Sequence, residues 1–318
     1  MMQSAVTQVN SARAVARFNV PWLLACIVTV VTWWPAAAQA DGFTVGIYAP
    51  SLPYPGTAAR VQAVGKLAEH FGDAIGATGV GRVYARASDF AAAVKKSDVA
   101  MALVDVAYLA QAGGNYAVVA VAVRGGEVAR PWQLVGKTGT TLAQLKGKII
   151  LVPAIGGHEN DFVYAALFGG ELPRDYFAKI ETAPDSVSAL AAVGFGKADA
   201  VVVPGGLALP AGMAPLLSLT STADAVLVVY GTDVARRAKV VTAITSYRGD
   251  SIVGGLRTSD TDVVAALRRR FVVAPRRGLM VVPAAKLLVG ELLRGGRGLP
   301  TRADVTKFVS HVDFSQVQ

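Results

Sequence analysis

Three features of the chain predict an α/β fold of two lobes, each built on a mostly parallel sheet. Short β-rich runs alternate with segments of helical apolar spacing. The runs at residues 98–104, 149–152 and 199–203 are almost continuously apolar, as strands buried on both faces of a parallel sheet are. The strand–helix series also restarts near residue 142, which divides the pattern in two. No repeat of fixed short period is present, so a solenoid is set aside.

Taken in order, residues 43–48 form a β-rich run that ends at Ala49-Pro50. Val61, Val64, Leu67, Ala68, Phe71 and Ile75 carry helical spacing over 57–75. Residues 82–85 read as a second strand, and Ser88 as the hydroxyl cap of a helix running to Val94. The buried run 98–104 is followed by strands at 116–123 and 133–135. The second series holds a short helix at 142–145 and the buried strand 149–152. A glycine-containing loop leads from it into a helix at 161–168. A strand at 180–182, a helix at 186–193 and the buried strand 199–203 complete it. Later, 239–245 reads as strand or helix, and 261–271 as a helix completing the first lobe.

The first 40 residues have the three-part pattern of a secretory signal peptide: Arg13 and Arg17 without acidic residues, an apolar stretch at 20–34, and an exit Pro35-Ala36-Ala37-Ala38-Gln39-Ala40. The stretch is shorter than the ~20 apolar residues that a membrane span needs. Cleavage after Ala40 is expected, giving a periplasmic or secreted protein. Cys26, the only cysteine, follows Leu23-Leu24-Ala25, but the apolar stretch continues past it, which disfavours lipoprotein processing there. The mature chain then has no cysteine, which rules out disulfides, a catalytic thiol and a thiolate metal site.

Removing 40 residues from 318 leaves 278, enough for one large domain or two lobes. The chain has 31 basic and 22 acidic residues, a net charge of +9, and losing Arg13 and Arg17 leaves +7. That surplus favours anionic ligands or an anionic envelope surface. The bases are scattered; the densest cluster, Arg268-Arg269-Arg270 with Arg276-Arg277, reads as a solvated helix end and turn, so no nucleic-acid partner is expected.

Thr141-Leu-Ala-Gln-Leu-Lys-Gly-Lys-Ile-Ile-Leu-Val152 resembles the "S-L-x-D-L-K-G-K" turn of type II periplasmic solute-binding proteins. The segment 185–200 resembles their "D-A-x-x-A-L-x-x-G-x-x-D-A" stretch, and 98–112 their "V-D-I-A-x-L-x-P" strand and helix. The group that matches best is the phosphate/phosphite/phosphonate branch of transporter binding proteins, over roughly residues 43–230. The resemblance implies two lobes joined by two crossing strands: 41–136 as the first part of lobe one, 137–224 as lobe two, and 225–318 returning to lobe one with C-terminal helices. It also implies a small, phosphate- or phosphonate-like ligand in a central cleft between them, delivery to a membrane permease or sensor, a monomer, and no cofactor. The sequence departs from the branch where its Ser/Thr-rich turn becomes Gly156-Gly157-His158-Glu159-Asn160. Pro184 replaces a histidine, and Gly205 or Gly206 an acidic or polar residue.

The candidate ligand residues follow from this placement. Gly156 and Gly157 let bare backbone approach a ligand outside the carboxyl end of a strand, and His158, Glu159 and Asn160 share the loop. Glu159 and Asp161 serve equally as first-turn acids that favour the helix dipole. His158, Glu159 and Asp161 have metal-ligand chemistry, but adjacent residues without partners rarely converge on one ion, and no metal site is assigned. Tyr54 lies in the Pro-Tyr-Pro loop after the first strand. Asp105 and Tyr108 lie where the third strand meets its helix, with Asp105 also a possible N-cap. Asp185 keeps the acidic position before its helix, and Trp132, after Arg130-Pro131, matches the aromatic that precedes a crossing strand. Arg130 is a plausible anion clamp or a solvated loop charge.

No G-x-S-x-G elbow, H-E-x-x-H or phosphate-binding P-loop is present, so a binding protein is preferred to an enzyme. Two alternatives stand beside it. One is a lyase or hydrolase using His158 with Glu159 or Asp185. The other is a ligand-free envelope interaction module, which a cleft filled by its own side chains would favour.

Overall fold

The computed structural model describes residues 42–231, 233–258 and 262–271. The signal segment 1–40 with Cys26, together with Arg276, Arg277 and His311, lies outside the described residues.

Two sheets form the molecule. The first has six strands in the order β11-β4-β10-β3-β1-β2, from β1 (Phe43–Tyr48), β2 (Gly79–Val83), β3 (Met101–Asp105), β4 (Tyr116–Val123), β10 (Ala225–Tyr230) and β11 (Gly255–Arg257). The second has five in the order β7-β6-β8-β5-β9, from β5 (Arg130–Lys137), β6 (Ile149–Pro153), β7 (Lys179–Ala183), β8 (Ala200–Pro204) and β9 (Met213–Thr222). In the first sheet β1, β2 and β3 run parallel, with β11 added antiparallel to β4 at the edge, and in the second β6, β7 and β8 run parallel. In each sheet one antiparallel strand is inserted from a crossing: β10 between β3 and β4, and β5 between β8 and β9. The chain therefore crosses between sheets twice, through the turn at 124–129 and through Ala223-Asp224. Because β5 pairs within the second sheet from Arg130 onwards, the first crossing precedes the sequence boundary at 136.

The helices are α1 (Thr57–Ile75), α2 (Ala87–Lys95), α3 (Val106–Gln111), α4 (Glu159–Asp161), α5 (Ser186–Gly194), α6 (Val234–Ala243) and α7 (Val263–Phe271). Helix α4 runs straight into a π-helical turn, Phe162–Leu167, whose six residues are all buried. The residues at 239–245 thus belong to a helix, since the buried Val240 and Ala243 face the sheet while Arg236, Arg237 and Lys239 stay outside the core. Strand β2 begins at Gly79, earlier than its apolar residues indicate. A Cβ at Gly79 would lie 2.1 Å from the Ala68 carbonyl oxygen, so glycine is what lets α1 rest against the strand. Ser88 is not the cap of α2: the helix begins at Ala87, and the Ser88 hydroxyl turns to Asp89.

Side-chain alternation sorts the strands between cores. In β3, Met101 and Leu103 join the cluster under α1 and α6, while Ala102 and Val104 face the other way. In β8, Val201 and Val203 pack towards α5, and Ala200 and Val202 turn from it. The faces of Ala102/Val104 and Ala200/Val202 belong to one continuous core through both lobes, holding Tyr48, Phe90, Trp132 and Phe162. Helix α7 helps to bridge it: Arg268 Nε donates to the Ala110 carbonyl of α3, and Phe271 lies 6.2 Å, centroid to centroid, from Phe162.

Because the core is shared, the two lobes should unfold together. Phe162→Ala is expected to cost about 3–5 kcal/mol. In urea, far-UV dichroism and the fluorescence of Trp132, the one tryptophan beyond residue 40, should report a single coincident transition; two separated transitions would refute a shared core.

Candidate functional site

The carboxyl ends of β1, β3, β6, β7 and β8 face one another across the lobe boundary. Strand β6 ends at Pro153, and the loop that follows turns through Gly156 (φ 122°) and Gly157 (φ 101°), both in the left-handed region. Gly156 also sits against Tyr108, whose Cδ2 would lie 2.7 Å from an added Cβ. The two glycine amides are not open. Glu159 Oε1 accepts hydrogen bonds from Gly156 N at 3.1 Å and Gly157 N at 3.0 Å. The chain's own carboxylate thus occupies the backbone donors that the sequence offers to an external anion.

A cavity of about 440 Å³ lies beside this loop, within the size range of small-molecule sites. Ser88 of α2, Tyr108 and Gln111 of α3, and Ile155, Gly156 and His158 of the loop contribute to its wall, so both lobes line it. Gln111 Nε2 is buried and has no hydrogen-bond partner among the described residues. A buried amide donor left unpaired costs about 1–3 kcal/mol, so a turn of this side chain towards the cavity it lines would gain a partner.

Further in, the boundary is filled by the protein's own polar groups. Asp105 is fully buried; its Oδ2 accepts from Ser51 N at 3.0 Å, and its Oδ1 accepts from the Ser51 hydroxyl. Asp105 stands at the N-cap position of α3 but caps nothing with its side chain. Ser186 of lobe two donates its N–H to Pro50 O (3.0 Å) and its hydroxyl to Ser51 O (2.9 Å). Asp185 accepts from Ser188 N at 2.7 Å, capping α5, and pairs with Arg60 of lobe one at 2.8 Å. The Tyr48 hydroxyl donates to Ala154 O at 2.7 Å. At the crossings, Arg124 Nε donates to Asp224 Oδ2 at 2.7 Å and its other arm to Gly205 O at 2.9 Å. Arg130, the expected clamp, donates to Arg124 O and lies 3.4 Å from Glu127.

The remaining candidates fall elsewhere. Tyr54 is 1% exposed and packs in the lobe-one cluster under α1, where its hydroxyl neighbours Asp250. Trp132 is also 1% exposed: its indole N–H donates to Thr222 Oγ1 at 2.8 Å and its ring meets Phe162 edge-on, which makes it a hinge-core residue. Asn160 is exposed, and Asp161 pairs with Arg174. The structure therefore brings Tyr108, Gly156 and His158 to one cavity and puts Asp105 and Asp185 in the polar seam. Glu159 serves the loop itself. Among the described residues no group of three or more His, Cys, Asp or Glu could hold a metal ion. Ser88 and Gln111 were missed as cavity residues, since nothing in a helix's polar pattern distinguishes an inward-facing glutamine. Arg60, Ser51 and Ser186 gave no sequence signal at all.

No protein-family model matches the chain, and neither does any curated protein. Solved structures do resemble it. A Xanthomonas citri protein bound to ATP aligns with TM-score 0.58 and 12% identity, over 73% of this chain and 98% of its own. The binding-protein component of an ABC phosphonate transporter from Pseudomonas aeruginosa gives 0.57 and 12%, over 80% and 96%. PhnD1 from Prochlorococcus marinus in complex with methylphosphonate gives 0.58 and 10%, over 72% and 97%. At these identities the likeness is one of fold. The chain has the two-lobe type II periplasmic-binding-protein fold, with mixed sheets in which four strand pairings are parallel and five antiparallel, fewer parallel than the sequence predicts because each crossing inserts an antiparallel strand.

Burial, with the Asp224 charge adding to it, raises the Asp105 carboxyl to about 7 against the opposing Ser51 hydrogen bonds. A folded-state value above the unfolded one means that the native state holds the extra proton, so stability should fall as pH rises from about 4 to about 7. Urea midpoints measured across pH 4.5–8 should show this decline. Asp105→Asn keeps an acceptor for Ser51 and should flatten the profile; an unchanged slope would assign the titration to other groups.

Proposed function

We propose that the chain is an exported solute-binding protein that holds a small anionic ligand, phosphate- or phosphonate-like, in the 440 Å³ interlobe cavity and passes it to a membrane transporter or sensor. The observation that carries this reading is the unpaired Gln111 amide, buried in a cavity that both lobes line. With the Gln111 side chain turned to the cavity, a ligand oxygen would satisfy that donor, and Ser88, Tyr108 and His158 supply further polar groups around it. The binding of methylphosphonate by PhnD1, and the phosphonate-transporter role of the Pseudomonas aeruginosa protein, supports this ligand class. So does the net charge of +7 beyond the signal segment. Export, processing after Ala40 and a monomeric state belong to the same proposal. A catalytic role finds less support. Glu159 is committed to two backbone amides, and it makes no hydrogen bond to His158 among the described residues.

One observation favours a second reading, an interaction module without a ligand. Tyr48, Ser186 and the Arg60–Asp185 pair join the lobes directly, and Glu159 takes the place of an anion at the glycine loop.

Titration calorimetry and thermal shift with phosphate, phosphite, methylphosphonate and sulfate separate the two. Binding of one of these anions is expected, weakened about tenfold to a hundredfold by Gln111→Leu, since a hydrogen bond to a charged group contributes about 1.5–3 kcal/mol. Affinity untouched by Gln111→Leu would remove the cavity as the site. Silence across all four anions would leave the interaction module as the better reading.

A further inference from the structure

A second cavity, of about 730 Å³, lies in lobe one between α2, α3 and the turn into α6. Tyr108 lines both cavities and is a wall they share. Its other aromatic walls are Phe90, Tyr116 and Tyr230, and these rings stand edge to face in series. Phe90 meets Tyr108 at 5.7 Å and Tyr230 at 6.3 Å, and Tyr230 meets Tyr116 at 6.4 Å, with interplanar angles of 65–69°. Val94, Val99 and Leu109 add apolar wall, and alanines and glycines make up much of the remainder. Phe90 is buried in the core behind this array, so the half-buried rings of Tyr108, Tyr116 and Tyr230 are the ones that can meet a further flat ring.

The polar groups in the lining define what that ring must carry. Lys95 makes no ion pair or hydrogen bond with another described residue, while Arg236 is half-buried and only loosely held, 3.5 Å from Asp233. Asp233 is engaged in capping, its Oδ1 accepting from the Arg236 backbone N–H at 2.9 Å. That leaves one net positive charge at the cavity. The Tyr108 and Tyr230 hydroxyls make no hydrogen bond to another described residue, and burial keeps both protonated at neutral pH, so both are available as donors.

We propose that this cavity is a second binding site, separate from the interlobe one, for a small flat aromatic acid. The aromatic walls take its ring, and Lys95 and Arg236 take its carboxylate. Titration calorimetry of the whole chain with indole-3-acetate and with neutral indole tests it. The acid should bind at least tenfold more tightly than indole, and the Lys95→Ala/Arg236→Ala double variant should abolish that preference. Asn115→Trp, made at an exposed residue of the lining, should fill the cavity and eliminate binding of both probes without lowering the Tm. His158→Ala should leave both affinities unchanged. Equal affinity for acid and indole, absence of binding by either, or binding that survives Asn115→Trp would overturn the proposal. Loss of binding in His158→Ala would do so too, by placing the acid in the interlobe cavity.

Discussion

Burying Asp105 at the end of β3 is the constraint around which the lobe boundary is arranged. A carboxyl fully removed from water must be neutralised or hydrogen-bonded, and Ser51 meets that need with both its backbone N–H and its hydroxyl. This fixes the loop after β1 in one conformation, with the carbonyls of Pro50 and Ser51 turned towards lobe two. There they accept both donors of Ser186, the first residue of α5. Asp185, one residue earlier, caps α5 and reaches back to Arg60 of α1. From one buried carboxyl, therefore, a chain of obligatory partners crosses the boundary and returns.

The same logic operates at the crossings. Arg124 and Asp224 are both more than nine-tenths buried, which is tolerable only as a pair, and the second arm of Arg124 holds Gly205 O. The lobe boundary is thus crossed by ordered polar seams. Space remains on the outer side, where α2 and α3 face the glycine loop, and in a cavity of about 420 Å³ between Pro53 and Ile252 of lobe one and Val187, Leu190 and Leu207 of lobe two. The loop shape is itself held from within, since Glu159 ties down the amides that would otherwise require an anion.

Much of the fold was legible because burial on both faces leaves a plain mark: the runs ending at Val104, Val152 and Val203 are β3, β6 and β8. The glycine-rich strand β2 was displaced in the reading, because Gly79 and Gly81 look like turn residues until α1 is seen lying on them. The site was less legible. Tyr54 and Trp132 have the residue types of a ligand wall, but the same rings fill cores, and only the three-dimensional packing separates the two uses. Asp185 and Glu159 are both visible as helix-start acids; Asp185 caps α5 in that way, while Glu159 turns back to the loop amides before its helix. Gln111 was silent, since its meaning depends on an absent partner and not on its neighbours in sequence.

The continuous core limits how such a molecule could open. Rigid rotation of one lobe would break the four direct hydrogen-bond links made by Tyr48, Ser186 and Arg60, and would also pull Phe162 and Phe271 apart. Exposing two such aromatic side chains costs about 1.5–3 kcal/mol each for the apolar surface alone. A displacement confined to the loop at 154–160 disturbs far less: it breaks the Tyr48 bond to Ala154 and moves Gly156 away from Tyr108. The polar seam between Ser51 and Ser186 stays intact. Access to the cavity beside Gln111 is therefore cheaper through the glycine loop than through hinge opening. The left-handed backbone at Gly156 and Gly157 belongs to the part of the boundary best able to move.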